Sequence, residues 1–238
     1  MSTYQQLESK LAANLGLTRR PVAISITPER PANIAPFEGT VPSGCSFWRL
    51  ASEGRTFATV QKDHYNCPIG SHTHNIPLPQ ERQSELTGTL GLMTEIGYIR
   101  MEEVPGIPQL PSTPACVVYA PLGDAPVAPD VVLVAGKPSR IMLLVEAATR
   151  AGIAPQLPVL ARPTCMSIPA ALSTGVVTST GCIGNRVYTD LGDDELYAVL
   201  RGSDLERVVE ALDTIASANE KLKQYHDARR AQLLNLNA

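Results

Sequence analysis

The chain has 238 residues, of which 44% are hydrophobic and 18% are charged, and its formal net charge is −3. This composition is typical of a globular protein with a sizeable core and excludes the disordered and fibrous classes. The basic residues are scattered apart from the pairs Arg19-Arg20 and Arg229-Arg230. Because no patch suits a phosphate backbone, nucleic-acid binding is disfavoured.

The amino-terminal segment, residues 1–17, is polar with apolar residues at helical spacing, which differs from the basic-then-apolar order of a signal peptide. The longest apolar run is interrupted by Gly136, Lys137 and Pro138, so no membrane span is predicted. We therefore expect a cytoplasmic protein without a membrane contact. Thiols stay reduced in the cytosol, so the five cysteines favour metal binding or thiol chemistry over disulfides.

The first part of the chain predicts a helix ending near Gly16, a strand over 21–26, a short helix over 46–53 that stops at Gly54, and a strand over 55–60. The segment 62–81 carries three histidines, one cysteine and three prolines. It is therefore expected to be an irregular loop, and sites often lie on such loops.

The remainder predicts alternating strands and helices. The strands are expected over 96–101, 115–120, 131–135, 176–180 and 195–200, and the helices over 138–150, 166–174 and from 203 onward. The fold class that follows is α/β.

Two stretches follow the same order of cysteine, short helix, glycine, strand and cysteine-containing turn. The first contains Cys45, Gly54 and the turn Cys67-Pro68-Ile69-Gly70, and the second contains Cys165, Gly175 and the turn Cys182-Ile183-Gly184. Shorter echoes link 33–36 with 152–155 and 118–122 with 196–200. The pattern predicts an internal duplication, with pseudo-symmetric halves over 18–127 and 128–217 in one compact body and a helical tail over 218–238.

A pseudo-twofold axis between the halves would bring Cys45, Cys67, Cys165 and Cys182 together. The first and third cysteines lie at predicted helix starts, where the helix dipole favours a thiolate. Four thiolates suit a 4Fe-4S cluster or tetrahedral zinc. The spacings of 22 and 17 residues exceed those of the usual zinc pairs, so a 4Fe-4S cluster is favoured, with zinc as the alternative.

Several residues beside the cysteines are candidates for holding the cofactor or a ligand. Backbone N–H groups of the two turns could face an anion. His64 could donate a hydrogen bond to the metal site without being a metal ligand itself. Arg186 could hold a carboxylate or phosphate, unless it pairs with a nearby aspartate. The candidate cofactor-binding residues are Gly70, Gly181, Gly184, Asn185, Arg186 and His64.

Other interpretations stay open. His64, His72 and His74 around Cys67 could form a local metal site, and Cys116 in an apolar strand is expected only to pack. The protein could instead be a zinc-stabilised or metal-free protein that binds a small ligand. It could also be a thiol enzyme that uses Cys182 or Cys67.

Several runs of residues carry a family resemblance: Ala120-Pro121-Leu122, 129–134, the stretch from Cys165 to Gly181-Cys182-Ile183-Gly184-Asn185-Arg186, and 193–197. In these runs the chain resembles the uncharacterised family called domain of unknown function 169 (DUF169), most specifically in its second half. The resemblance extends from Pro21 to about Leu212 and implies a shared fold without a known reaction. We therefore expect one DUF169-like domain over 1–238, with an unknown small molecule or redox partner. The polar carboxyl-terminal helix is compatible with a homodimer.

Overall fold

A computed structural model describes residues 3–153, 159–160 and 162–235 of the chain. The echo predicted at 152–155 lies partly outside the described residues, as do the ends of the predicted amino-terminal helix and carboxyl-terminal tail. The helices are α1 (Thr3–Leu15), α2 (Cys45–Ser52), α3 (Pro68–Thr73), α4 (Gln83–Glu95), α5 (Pro138–Arg150), α6 (Ser167–Thr174), α7 (Ile183–Thr189) and α8 (Leu205–Asn235). The strands are β1 (Val22–Thr27), β2 (Phe57–Thr59), β3 (Cys116–Pro121), β4 (Val131–Gly136), β5 (Val159–Leu160), β6 (Val176–Ser179) and β7 (Leu196–Arg201).

The strands of the described residues form one sheet in the order β2-β3-β1-β4-β7-β6-β5. Neighbours run antiparallel, except that β5 pairs parallel with β6. The centre of the sheet is the antiparallel pair of β1 and β4, in which Val22 lies opposite Leu133. The predicted α/β class is therefore confirmed as a mixed α/β fold.

The sheet is covered by helices on both faces because its strands alternate their side chains between two apolar layers. Helices α1, α5 and α8 pack on the face that carries Ala23 and Val132. Helices α2 and α6 pack on the face that carries Val22 and Ile24. Cys45 and Cys165 belong to the second layer, whereas Cys116 lies in a separate small cluster.

Glycines end two of the helices as the sequence predicts. Gly54 follows α2 with a φ of +108°, and Gly175 ends α6 with a φ of +91°. Such positive φ values strain any residue with a side chain.

Three predictions of local structure were wrong. The segment over 62–81 is not an irregular loop throughout, because it contains α3. The turn predicted at Cys182-Ile183-Gly184 is the start of α7. The strand predicted over 96–101 is absent from the described residues, where α4 and a 3₁₀ turn (Met101–Gly106) border this segment.

Helix α8 begins against α5 and then leaves the body of the protein. Leu205, Val208 and Leu212 are buried, whereas Leu222, Tyr225 and Leu234 are exposed. Its distal part therefore extends into solvent. No helix within the described ranges is long and apolar enough to span a membrane.

Candidate functional site

Four of the five cysteines line a single cavity of about 460 Å³. Cys45 is the first residue of α2, and Cys165 lies in the 3₁₀ turn Thr164–Met166 that precedes α6. Cys67 and Cys182 each immediately precede a short helix, α3 and α7 respectively. The cavity therefore collects one cysteine from each of four separate segments of the chain.

Contacts between the two parts of the chain explain this convergence. Helix α2 packs against α7, and α3 packs against the 3₁₀ turn that holds Cys165. Within the second part, the backbone N–H of Cys182 donates to the hydroxyl of Thr164, at 2.5 Å. Cys45 and Cys67, the cavity cysteines of residues 1–127, thus lie on or beside helices that contact elements from the rest of the chain.

The loop around Cys67 is shaped closely about its sulfur. The Gly70 N–H donates to Cys67 Sγ at 3.3 Å, and Ser43 Oγ lies 3.6 Å from the same sulfur. A Cβ atom on Gly70 would lie only 2.8 Å from this Sγ atom. Glycine is therefore needed here for the close approach of backbone to sulfur.

Burial governs the ionisation of the two innermost thiols. It raises the pKa of Cys45 to about 12, and negative charge on Cys67 and Cys182 would add to the rise, while Asn185 acts in the opposite direction. Burial likewise raises the pKa of Cys165, and charge on Cys45 and Cys67 adds to it. At these two positions desolvation by burial outweighs the effect of the helix dipole, so the free cysteines favour the neutral thiol over the thiolate.

Two buried polar side chains beside the thiols lack hydrogen-bond partners among the described residues. They are Tyr119, through its hydroxyl, and Asn185, through both amide atoms. Burial raises the pKa of Tyr119, and charge on Cys45 and Cys165 would raise it further, so this hydroxyl lies within electrostatic range of both sulfurs. Unpaired buried polar groups are rare, and an ion or ligand is one of the usual reasons for them.

The sulfurs are not arranged around a single point. In the part of the chain that the structure describes, no three His, Cys, Asp or Glu side chains form a group that could hold one metal ion. A single zinc ion needs its sulfurs at about 2.3 Å from one centre. The four cysteines thus share the lining of one cavity without forming, among the described residues, a site for a single metal ion.

The residues predicted to flank the cysteines take different positions. Gly184 and Asn185 line the cavity, whereas Gly70 and His64 contact Cys67 through backbone atoms. Gly181 has a φ of +75° in the turn before Cys182.

The guanidinium of Arg186 is directed at backbone rather than at the cavity. It donates to the carbonyl oxygens of Thr180, Gly192 and Glu195, and Asp193 lies 4.0 Å away. These bonds hold the turn between α7 and β7.

The histidines around Cys67 make different hydrogen bonds, although the rings of His64 and His74 lie next to each other, with centroids 5.4 Å apart. His64 Nε2–H donates to Thr59 Oγ1, because the Thr59 hydroxyl itself donates to the carbonyl of Val117. His74 is buried and donates from Nδ1 to the carbonyl of Gly70, whereas His72 is half-buried beside Gln109. Burial lowers the pKa of all three rings, most strongly for His64, where charge on His74 adds to the effect.

The far wall of the cavity comes from a segment whose role the sequence analysis missed. Helix α4 and the residues after it contribute Leu90, Met93, Ile99 and Val104. Arg162 and Glu103 also line the cavity and pair with each other, with Nη2 and Oε2 3.2 Å apart. Their 59-residue separation left no local pattern that could have indicated this pair.

Comparison with known proteins identifies the family of this chain. The model of the family described as uncharacterised ArCR, DUF169, matches residues 10–211. No curated protein and no solved structure gives a significant match.

Proposed function

The chain belongs to the DUF169 family, and we propose that it is a 4Fe-4S iron–sulfur protein with a role in electron transfer or in redox chemistry on a small molecule. The observation that carries the proposal is the presence of Cys45, Cys67, Cys165 and Cys182 around one cavity. Soft thiolate ligands select iron–sulfur clusters, zinc or copper(I). A 4Fe-4S cluster takes one thiolate at each of its four iron corners, so its ligands stand around a volume rather than at one ion. The four cysteines support such a cofactor because they line one cavity.

Electrostatics favours a positively charged centre among the four sulfurs. Negative charge on Cys67 or Cys182 raises the pKa of both Cys45 and Cys165 beyond the effect of burial, so four thiolates would repel one another without a cation. Iron ions bound at the sulfurs would remove this repulsion and offset the cost of burying the charge.

The surrounding polar groups also suit a sulfur-rich cofactor. The hydroxyl of Tyr119 and the amide of Asn185 are buried donors without a partner in the described part of the chain. The N–H of Gly70 already points at a cysteine sulfur. Donors of this kind stabilise clusters by hydrogen bonding to their sulfurs, and they tune the reduction potential.

We also propose that the two halves of the chain are equivalent, because the order of their elements supports a duplication. The strand order β2-β3-β1 on one side of the sheet corresponds to β6-β7-β4 on the other. In both, a cysteine begins or precedes a short helix, a strand follows, and a second cysteine precedes another short helix. A pseudo-twofold axis between β1 and β4 would relate Cys45 to Cys165 and Cys67 to Cys182.

When bound, such a cluster supplies one-electron transfer or a Lewis-acidic iron. The chain's own residues would hold it by four thiolates and keep it from water, since Cys45 and Cys165 are buried. Cytoplasmic location fits this proposal, because reduced thiols are then available for assembly.

Metal and sulfide analysis of protein purified without oxygen tests the proposal. We expect about four irons and four sulfides per chain in the wild type, with a brown colour. Cys45→Ala should lose nearly all the iron, since it removes one of the four ligands.

Cys116→Ala is the matched control, because Cys116 is equally buried but lies in a different cluster of side chains. It should keep the wild-type iron content. Colourless wild-type protein with one zinc per chain, or equal loss of iron in both variants, would contradict the proposal.

A further inference from the structure

One wall of the cysteine-lined cavity belongs to a segment that is not part of the core. We call this segment, residues 83–107, the cover; it contains α4 and the 3₁₀ turn Met101–Gly106. Its side chains Leu90, Met93 and Val104 line the cavity, yet no residue of the cover is fully buried. Helices in proteins owe most of their stability to the packing of an apolar face. The cover is therefore only weakly stabilised by the body of the protein.

Helix α4 also contains two interior glycines that its packing does not require. Gly88 and Gly91 are exposed, neither has a positive φ, and a Cβ atom at either position would meet nothing within 4 Å. A glycine inside a helix lowers the helix–coil equilibrium constant about threefold relative to alanine. The two glycines therefore make the unwound state of α4 about tenfold more populated than two alanines would.

An ion pair joins the far end of the cover to the rest of the chain. Nη2 of Arg162 lies 3.2 Å from Oε2 of Glu103, and the guanidinium carbon lies 5.0 Å from the centre of the Tyr98 ring. Glu103 also pairs with Arg100, at 3.0 Å, but Arg100 is itself a residue of the cover. Of these two pairs, only the one with Arg162 fastens the cover. Because Arg162 lies shortly before Cys165 in the chain, the cover is fastened beside the cysteine site.

The two innermost thiols depend on the cavity for access from solvent. Cys45 and Cys165 are 5% and 6% exposed, and both belong to the apolar layer on one face of the sheet. They also line the cavity, so a reagent reaches them from the cavity side. The cavity walls that come from α3, α7 and the 3₁₀ turn Thr164–Met166 each contain buried residues, whereas the cover contains none. The cover is therefore the wall most free to move.

We propose that the cover is a lid, which opens by local unwinding of α4 and release of Glu103 from Arg162 and thereby controls access to the cysteine site. The lid rests on the proposed function only for what it encloses, a cluster and the small molecule or partner that meets it. The opening itself depends on the residues of the cover and on Arg162.

Hydrogen exchange followed by mass spectrometry measures the opening, using protein purified without oxygen. The amides of α4 should exchange well before those of α5, which has buried residues. Replacing both Gly88 and Gly91 with alanine should slow exchange in α4 about tenfold. Exchange of α4 and α5 at one common rate, or no effect of the two alanines, would overturn the proposal.

A pair of variants tests the fastening of the cover. Glu103→Gln removes the ion pair with Arg162 and should speed exchange in α4 about threefold, as expected for a partly exposed pair. Arg100→Gln is the control, since it removes the pairs of Glu103 and Glu102 that lie within the cover but keeps the one with Arg162. Its exchange rate should equal that of the wild type. Equal rates in the two variants would overturn the role of Arg162.

Control of access is measured on the same variants with a reagent chosen by the iron count. Where the protein holds iron, the readout is the rate of iron release to the chelator bathophenanthroline disulfonate. Where it holds none, the readout is the rate at which N-ethylmaleimide labels Cys45 and Cys165, with the buried Cys116, outside the cavity lining, as the control for global unfolding. The alanine variant should be slower and Glu103→Gln faster, by the same factors as in hydrogen exchange. Access rates that do not follow exchange in α4 would overturn the lid.

The lid and the proposed function fail separately in these measurements. Iron-free protein whose labelling follows exchange in α4 would overturn the proposed function and support the lid. Protein with a full cluster whose iron release is the same in every variant would overturn the lid and leave the iron–sulfur proposal standing.

Discussion

The close approach of Gly70 to Cys67 makes this glycine the most sensitive single position near the cysteines. Gly70→Ala would place a methyl group 2.8 Å from the Cys67 sulfur, so the sulfur or the loop must move. We expect most of the bound iron to be lost and the free energy of unfolding to fall by about 1–3 kcal/mol. Iron analysis and urea unfolding measure the two effects.

Gly44→Ala is the matched control for this substitution. Gly44 directly precedes Cys45, but a Cβ atom there would meet nothing within 4 Å, and its φ of −59° suits any residue. Wild-type iron content in Gly44→Ala and a large loss in Gly70→Ala are expected. Equal iron content in the two variants would argue against Cys67 as a ligand.

At the scale of elements, the segment from the end of β2 through α3 contains two buried histidines, His64 before α3 and His74 directly after it. Burial lowers the pKa of both rings from the usual value of 6.5, and positive charge on His74 would lower the pKa of His64 further. Below pH 6.5 these two histidines therefore bind protons in the unfolded chain, whereas in the folded chain they stay neutral until the pH reaches their lowered pKa values. Stability must fall as the pH drops from 6.5 toward the lowered folded-state pKa values, by at most about 1.4 kcal/mol per pH unit for each ring.

Urea unfolding between pH 8 and pH 5 checks this dependence. The decline on acidification should be smaller in His64→Gln than in the wild type. In His226→Gln, which alters an exposed position on α8, it should be unchanged. The same dependence of the free energy of unfolding on pH in all three proteins would show that the buried histidines do not cause the loss of stability in acid.

The elements that could be predicted from the sequence are those whose pattern reflects burial. Strands β3 and β4 are almost wholly apolar because both of their faces are covered, and the strand predictions there were correct. Helix α4 was missed because it buries none of its residues, so it carries no stripe of core-facing side chains. Helices α3 and α7, with six and seven residues, are too short for a periodic signal.

At the scale of the whole molecule, the candidate site was predictable only in part. The repeated order of cysteine, helix and strand indicated which four thiols to consider, and these four line one cavity. The pairing of Arg162 with Glu103 and the wall formed by α4 depend on tertiary contacts that leave no mark on local sequence. The raised pKa of Cys45 likewise follows from burial in the assembled fold, which outweighs the local effect of the helix start.

The account as a whole depends on four sulfurs from separate segments binding one cofactor within a single chain. Native mass spectrometry of the protein purified without oxygen tests this most directly, because it counts the bound atoms. We predict a folded chain whose mass exceeds that of the polypeptide by one core of four irons and four sulfides, with four cysteine protons lost. A folded chain with the mass of the polypeptide alone, or with a single zinc ion, would contradict the account.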